Sequence, residues 1–354
     1  MKKKGRSEGI RIIIFGLVAA VLPLTVQNGY YLGVLNVIGI YTLVAIGLCL
    51  LIGYAGQISF SHAAFYGIGA YTSAILTTKL QISPWLGLPA AGLVTGLAAL
   101  IIGLPALKLK HHFLALATLS FGFIVHIFFV EWVGLTGGPS GILDIPAFSL
   151  GPLQFKGDTR VYYLIWLFAV IALWMARNLT DSRIGRAFLA IKGSEVASQA
   201  MGINTARLKL QVFVLSAVLA GIAGALYAHY VGFISPAPFS IMTSVMFVVM
   251  AVVGGPESIW GVVVGSAVVT ALAEALRAFV PMIFPMAGGE YQVIVFGALL
   301  MGVLIFMPEG IVPSLNQKWR QRKAAQRRFA ASPGSSLPPA REENIESEGK
   351  EAAL

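Results

Sequence analysis

The feature that most constrains this 354-residue chain is its repetition of long apolar runs separated by short polar intervals. Ten runs can be marked, at residues 12–26, 35–52, 63–78, 85–104, 113–130, 162–176, 211–230, 242–253, 259–279 and 291–307. A helix needs about 20 apolar residues to cross the hydrocarbon core of a bilayer. Backbone groups in lipid must be paired within the protein, so such runs predict helices and not loops or an open sheet. With 57% hydrophobic and 11% charged residues, the composition is that of a membrane protein. The expected fold class is an all-α polytopic membrane protein of about ten transmembrane helices. The run at 12–26 follows a basic stretch, MKKKGRSEGIR, without a clean small-residue cleavage pattern. It reads as a first span, not a cleaved signal.

The charges set the expected orientation. Lys and Arg concentrate at the start, at Lys108 and Lys110, within 177–209, and after residue 316. With ten crossings and an inside N-terminus, these sites follow zero, four, six and ten crossings. Every count is even, which places all the basic sites, and both termini, on the cytoplasmic side. The expected division is a basic N-terminus (1–11), a transmembrane domain (12–315) holding a cytoplasmic loop (181–209), and a tail (316–354). The tail turns Pro/Ser/Glu-rich and is expected to be disordered. The net charge of +10 does not point to nucleic acid, because no basic stripe interleaves with exposed aromatics. Cys49 is the sole cysteine, which excludes a disulfide framework or a thiolate metal cluster, and the five histidines lack metal-ligand spacing.

Two polar stretches interrupt the apolar pattern. The first, GYAGQISFSHAAFYGIGAY at 53–71, is too polar and glycine-rich for a lipid-facing helix. Backbone that leaves the helix at membrane depth persists where it is buried in protein or lines a cavity. Gln57, Ser59, Ser61 and His62 therefore either line a translocation path or belong to an interfacial loop packed on small residues. The second, 181–209, spaces Ile184, Ala187, Phe188 and Ile191 at i, i+3, i+4 and i+7, with Arg183, Arg186 and Lys192 between them. This is a basic amphipathic helix, and Gly193 and Gly202 mark turns. Such a helix lies in lipid headgroups or docks into a groove on a soluble partner.

LTGGPSGI at 135–142 is a structured turn and not a phosphate loop, since it lacks the terminal Lys-Ser/Thr. Gly92-x-x-x-Gly96, Ala217-x-x-x-Gly221 with Gly224, and Gly261-x-x-x-Gly265 predict close helix contacts. His126 and His229 read as bundle-facing hydrogen-bonding groups. Glu274 and Arg277, three apart near the outer end of the ninth run, can pair on one helix face in a structural role. Mid-span carboxylates, which a gradient-driven carrier uses for coupling, are nearly missing. An external engine gripping the 181–209 loop is the stronger reading. A gradient-driven secondary carrier and a scaffold protein are the alternatives.

Four separated motifs, within residues 53–76, 111–142, 182–228 and 252–269, together with YQVIVFGALLMGVLIFMPEGI at 291–311, resemble the permeases of branched-chain amino-acid ABC importers. The match is to the longer, LivM-type subunit. The resemblance implies a permease of the bacterial plasma membrane, paired with a second, related permease subunit. It further implies two cytoplasmic ATP-binding subunits that use ATP and Mg, and an external solute-binding protein that delivers the solute. This chain, embedded in membrane lipid, would bind no cofactor and would not itself be an enzyme. Residues 182–209 would be the ATPase-coupling loop, bringing Arg183, Ile184, Gly185, Arg186, Ala187, Phe188 and Ile191 to the contact. Glu195, Ala197 and Gly202 resemble the Glu-Ala-Ala…Gly element of importer permeases, although Ser198 and Gln199 interrupt it. Ser61 stands where the family commonly has glycine. The same family also serves other amino acids, urea and short amides.

Overall fold

In the computed structural model the chain opens with helix α1, Lys2–Thr25. Asn28 then caps the next helix, its side-chain oxygen accepting the Tyr30 amide at 3.0 Å. That helix, α2 (Gly29–Leu48), runs on through a π-helical turn, Cys49–Tyr54, so the two form one rod of 26 residues. The chain leaves helical geometry only at Ala55–Ser61 before α3 (His62–Thr78) begins. The structure describes residues 2–25, 28–107, 111–150, 153–155 and 157–283, together with 294, 297, 298, 301 and 302.

Helices α4 (Pro84–Ala106) and α5 (His111–Glu131) follow. The segment between α5 and the next long helix holds a single turn, α6 (Val133–Thr136), and a two-residue hairpin of β1 (Ser149–Leu150) and β2 (Leu153–Gln154). This small antiparallel pair lies in a polar interval between spans, and every other element among the described residues is a helix. The 135–142 turn is structured as predicted. Gly141 adopts φ +72°, and a Cβ there would strike the Ile234 carbonyl, with which Ile142 forms a bridge. Helix α7 (Asp158–Asp181) leads to two short helices, α8 (Arg183–Gly193) and α9 (Glu195–Ala200). Then come α10 (Thr205–Val231), α11 (Ile241–Gly254) and α12 (Ile259–Ile283).

Six stretches among the described residues are long and apolar enough to cross a bilayer alone: Gly29–Tyr54, Pro84–Ala106, Phe113–Glu131, Asp158–Asp181, Thr205–Val231 and Ile259–Ala278. The predicted runs at 12–26, 63–78 and 242–253 correspond to shorter or more polar helical stretches. At about 1.5 Å per residue, the 17 residues of α3 and the 14 of α11 fall short of a roughly 30 Å core. All but five positions of the predicted run at 291–307 lie outside the described residues, as does the tail at 316–354.

Helices in lipid gain little from hydrophobic burial against one another, so close packing must hold them. Glycine provides it here. A Cβ on Gly69 of α3 would run into the Gly221 backbone of α10, and one on Gly224 into the Tyr66 carbonyl. α4 approaches the same helix through Gly92 and Gly96, which sit against Val218 and Ile222. A second seam joins α11 to α12, where Gly261 meets the Gly254 carbonyl and Gly265 meets that of Met250. All three small-residue motifs are therefore at helix contacts. Between α3 and α5, Tyr71 stacks on Phe129 with ring centroids 4.4 Å apart.

Candidate functional site

The Ala55–Ser61 break is buried. Gln57, Ser59, Ser61 and His62 are all at most 4% exposed, while Ile58 points outward. Three helices, α5, α10 and α11, supply polar partners to this segment and the start of α3. The Phe60 amide donates to Thr118 Oγ1 of α5 at 3.1 Å, and the Ala63 amide to Ser244 Oγ of α11 at 2.9 Å. Ser59 and Ser61 share a hydrogen bond of 2.8 Å. His62 Nε2 lies 2.5 Å from Ser216 Oγ on α10. The segment thus knits α3, α5, α10 and α11 together. The Gln57 side-chain amide and His62 Nδ1 have no hydrogen-bond partner among the described residues.

The loop at 181–209 folds into two short helices, as its pattern predicts. Ser182 caps α8: its hydroxyl donates to the Leu179 carbonyl at 2.6 Å and its oxygen accepts the amides of Ile184 and Gly185. This tight entry puts Gly185 against the end of α7, where a Cβ would strike the Thr180 carbonyl. The predicted four-residue apolar stripe is divided as a result. Phe188 and Ile191 are buried with Gly185 and Ala187 is half-buried, whereas Ile184 is 44% exposed. Ser194 caps α9, accepting the Ala197 amide, and Glu195 pairs with Lys209 at 2.6 Å. Gly202 takes φ +80° and turns the chain into α10, capped by Asn204. Arg183, Arg186, Ala197 and Gly202 face outward, together with Leu189, Val196 and Met201. The result is a mixed basic and apolar surface on a rigid base.

One side chain ties the two candidate regions together. Lys192, at the end of α8, donates to the Gly53 carbonyl at 2.8 Å and pairs with Glu257 at 2.5 Å. Gly53 lies in the last part of the π-helical turn just before the buried break, and Glu257 belongs to the α11–α12 turn. Tyr54 donates to the Glu257 carbonyl at 3.1 Å, and Cys49 Sγ lies 3.0 Å from the Pro256 carbonyl. Lys192 was legible in the sequence only as one of the loop's basic residues. Its partners are 139 and 65 residues away, and no local pattern links them.

His229 hydrogen-bonds within the bundle. Its Nδ1 is 2.7 Å from the Pro146 carbonyl and must carry the proton, leaving Nε2 to accept from the Ser73 hydroxyl, also at 2.7 Å. His126 Nδ1 is buried with no partner among the described residues, and the side chains of His111 and His112 are outside them. Glu274 and Arg277 are paired at 2.8 Å as their spacing predicts, but they also line a cavity of about 460 Å³.

No solved structure matches this chain. The family model described as "Branched-chain amino acid transport system / permease component" matches residues 30–304. The high-affinity branched-chain amino acid transport system permease protein LivM of Salmonella typhimurium is 31% identical over 320 residues, covering 84% of this chain and 73% of that one. LivH of the same organism, described as a permease protein of the same kind of system, is 30% identical over 80% of this chain and 93% of its own. BraD of Pseudomonas aeruginosa is 28% identical over 77% and 91%. The family match spans every element from α2 to α12, with the buried break, the α8–α9 pair and the glycine seams inside it, and the chain belongs to the family of branched-chain amino acid transport permeases, LivM type.

Proposed function

We propose that this chain is one of two related membrane subunits of an ATP-driven importer, moving branched-chain amino acids that an external binding protein delivers. The observation that carries this reading is the α8–α9 pair. It is a helical protrusion fixed at both ends by α7 and α10, showing outward apolar residues (Ile184, Leu189, Val196, Met201) among arginines, and joined by Lys192 to two other inter-helix segments. A helix lying on lipid headgroups would need no such ties. A part gripped by a soluble ATPase needs them, because force applied at the surface must reach the spans.

In this reading ATP and Mg are used by two cytoplasmic partner subunits, and this chain carries no nucleotide site of its own. The α8–α9 face is cytoplasmic, in keeping with the basic residues gathered on it. The chain then lies in a bacterial inner membrane with ten spans and both termini inside. Gln57 and His62, buried with unpartnered polar atoms beside the helix break, stand where a path would open when the packing changes.

The test is co-purification in mild detergent from the native membrane, comparing the intact chain with Val196→Asp/Met201→Asp. Both sites are more than three-quarters exposed, so the fold should be unaffected. ATPase subunits should accompany the intact chain and leave the variant. Uptake of leucine by the purified chain alone, abolished by an ionophore, would replace this reading with a gradient-driven carrier.

A further inference from the structure

The cavity of about 460 Å³ between α2, α10, α11 and α12 has a chemistry that the α8–α9 surface does not need. Its walls are apolar at Val37, Met242, Met246 and Ala273, with Tyr41 and Tyr227 beside them. Three polar groups stand among them on one helix, α12. Glu274 and Arg277 supply opposite charges one turn apart, and Thr270 is 3% exposed with a hydroxyl that has no partner among the described residues. Its size falls within the range of small-molecule sites, which are mostly apolar with a few fixed polar groups.

The cavity also sits at a telling depth. The α11–α12 turn contacts Lys192 and so lies on the α8–α9 side of the molecule. Glu274 is 15 residues beyond Ile259, the start of α12, or about 22 Å along the helix. The cavity is therefore in the half of the bundle remote from the coupling helices, where a solute delivered from outside would arrive.

We propose that this cavity is a holding site for an α-amino acid with an apolar side chain. Glu274 takes the ammonium group, Arg277 takes the carboxylate, and the Val37–Met242–Met246 wall takes the side chain. The inference rests on the importer reading and adds a binding site within this subunit. The pairing of Glu274 with Arg277 is compatible with it. Exposed ion pairs are weak and easily opened, and Arg277 is mostly exposed, with only one guanidinium nitrogen directed at Glu274. A guanidinium carries five donors, enough to hold a carboxylate as well. Tyr30 donates to the other Glu274 oxygen at 3.2 Å, which fixes the carboxylate in place. The carboxylate and guanidinium match the two charged ends of an amino acid. Urea, which has no charged ends, could hydrogen-bond to both but would neutralise neither charge.

The test uses right-side-out membrane vesicles carrying the chain with its native partners but no binding protein. Cys49 is the only native cysteine and is buried, so Met242→Cys provides a reporter thiol at the cavity, with Thr243→Cys as a second. Leucine should slow maleimide labelling several-fold. Leucinamide, which lacks the carboxylate, and 4-methylpentanoate, which lacks the ammonium, should not. Adding Glu274→Gln or Arg277→Gln should remove the protection. If leucine fails to protect either reporter in vesicles that still show ATP-driven leucine uptake once binding protein is added, the site is wrong and the importer reading stands. Equal protection by all three compounds would reduce the cavity to an apolar pocket and overturn the assignment. Leucine protection in vesicles whose uptake ignores ATP would keep the site and remove the importer reading.

Discussion

Lys192 on α8 reaches across to Glu257 in the α11–α12 turn, Nζ to Oε1 at 2.5 Å, while the same ammonium holds the Gly53 carbonyl at 2.8 Å. A single cation thus joins the protruding helix pair to both ends of the polar machinery: the helix break on one side and the α11–α12 hairpin on the other.

Lys192→Met should separate coupling from folding. Both partners are partly solvated, so the pair itself contributes at most about 1 kcal/mol, and the bond to Gly53 a similar amount. Thermal unfolding in detergent should shift little. ATPase subunits should still co-purify, while solute uptake per ATP hydrolysed falls several-fold. A charge exchange, Lys192→Glu with Glu257→Lys, should recover part of the uptake; no recovery would show that the Gly53 bond carries the effect.

Ser216→Ala should cost about 1–3 kcal/mol, because it leaves His62 buried with both ring nitrogens unpartnered. Removing both partners with His62→Leu/Ser216→Ala should cost less than the sum of the single changes. The double-mutant cycle, read by thermal unfolding, checks the coupling.

Gly69→Ala should destabilise by at least about 1–3 kcal/mol, since the new methyl meets the Gly221 backbone, which has no side chain to move aside. Ala substitution at Gly193, where a Cβ meets nothing within 4 Å, should leave the melting temperature within a degree or two of the parent. Equal melting temperatures for the two variants would contradict the seam.

Single cysteines at Val196 and Asp144 should respond to a membrane-impermeant maleimide from opposite sides of the membrane. Both positions are exposed, and they lie at opposite ends of α7 and α10. Labelling of Val196→Cys only after the cells are opened, and of Asp144→Cys in intact cells, is the expected outcome. The reverse pattern would invert the orientation drawn from the basic residues.

Local signals made much of this fold readable. Apolar run length located α2, α4, α5, α7, α10 and α12, and Gly193 and Gly202 marked turns beside the two short helices. The glycine pairs at 92/96 and 261/265 identified the close contacts. Contacts between distant residues were not readable, because nothing near Lys192 in sequence points to Glu257, nor near His62 to Ser216. The stripe through Ile184 is only partly buried, because the Ser182 cap, and not the apolar spacing alone, sets how α8 meets α7. Glu274 and Arg277 were legible as a pair; the cavity beside them depends on four helices converging, which one helix's periodicity does not report.

The two glycine seams have a mechanical consequence. Where backbone meets backbone there is no rotamer to rearrange, so each seam has no slack. α3, α4 and α10 therefore form one close-packed slab, and the α11–α12 hairpin forms another close-packed unit. Beside the cavity the slab and the hairpin meet instead through longer side chains such as Met246 and Tyr227, while the Ala63–Ser244 hydrogen bond joins α3 to α11 elsewhere. Under the importer reading, a pull transmitted through Lys192 to the hairpin would be taken up where side chains and not backbone meet, and the cavity beside Glu274 and Arg277 is such a place.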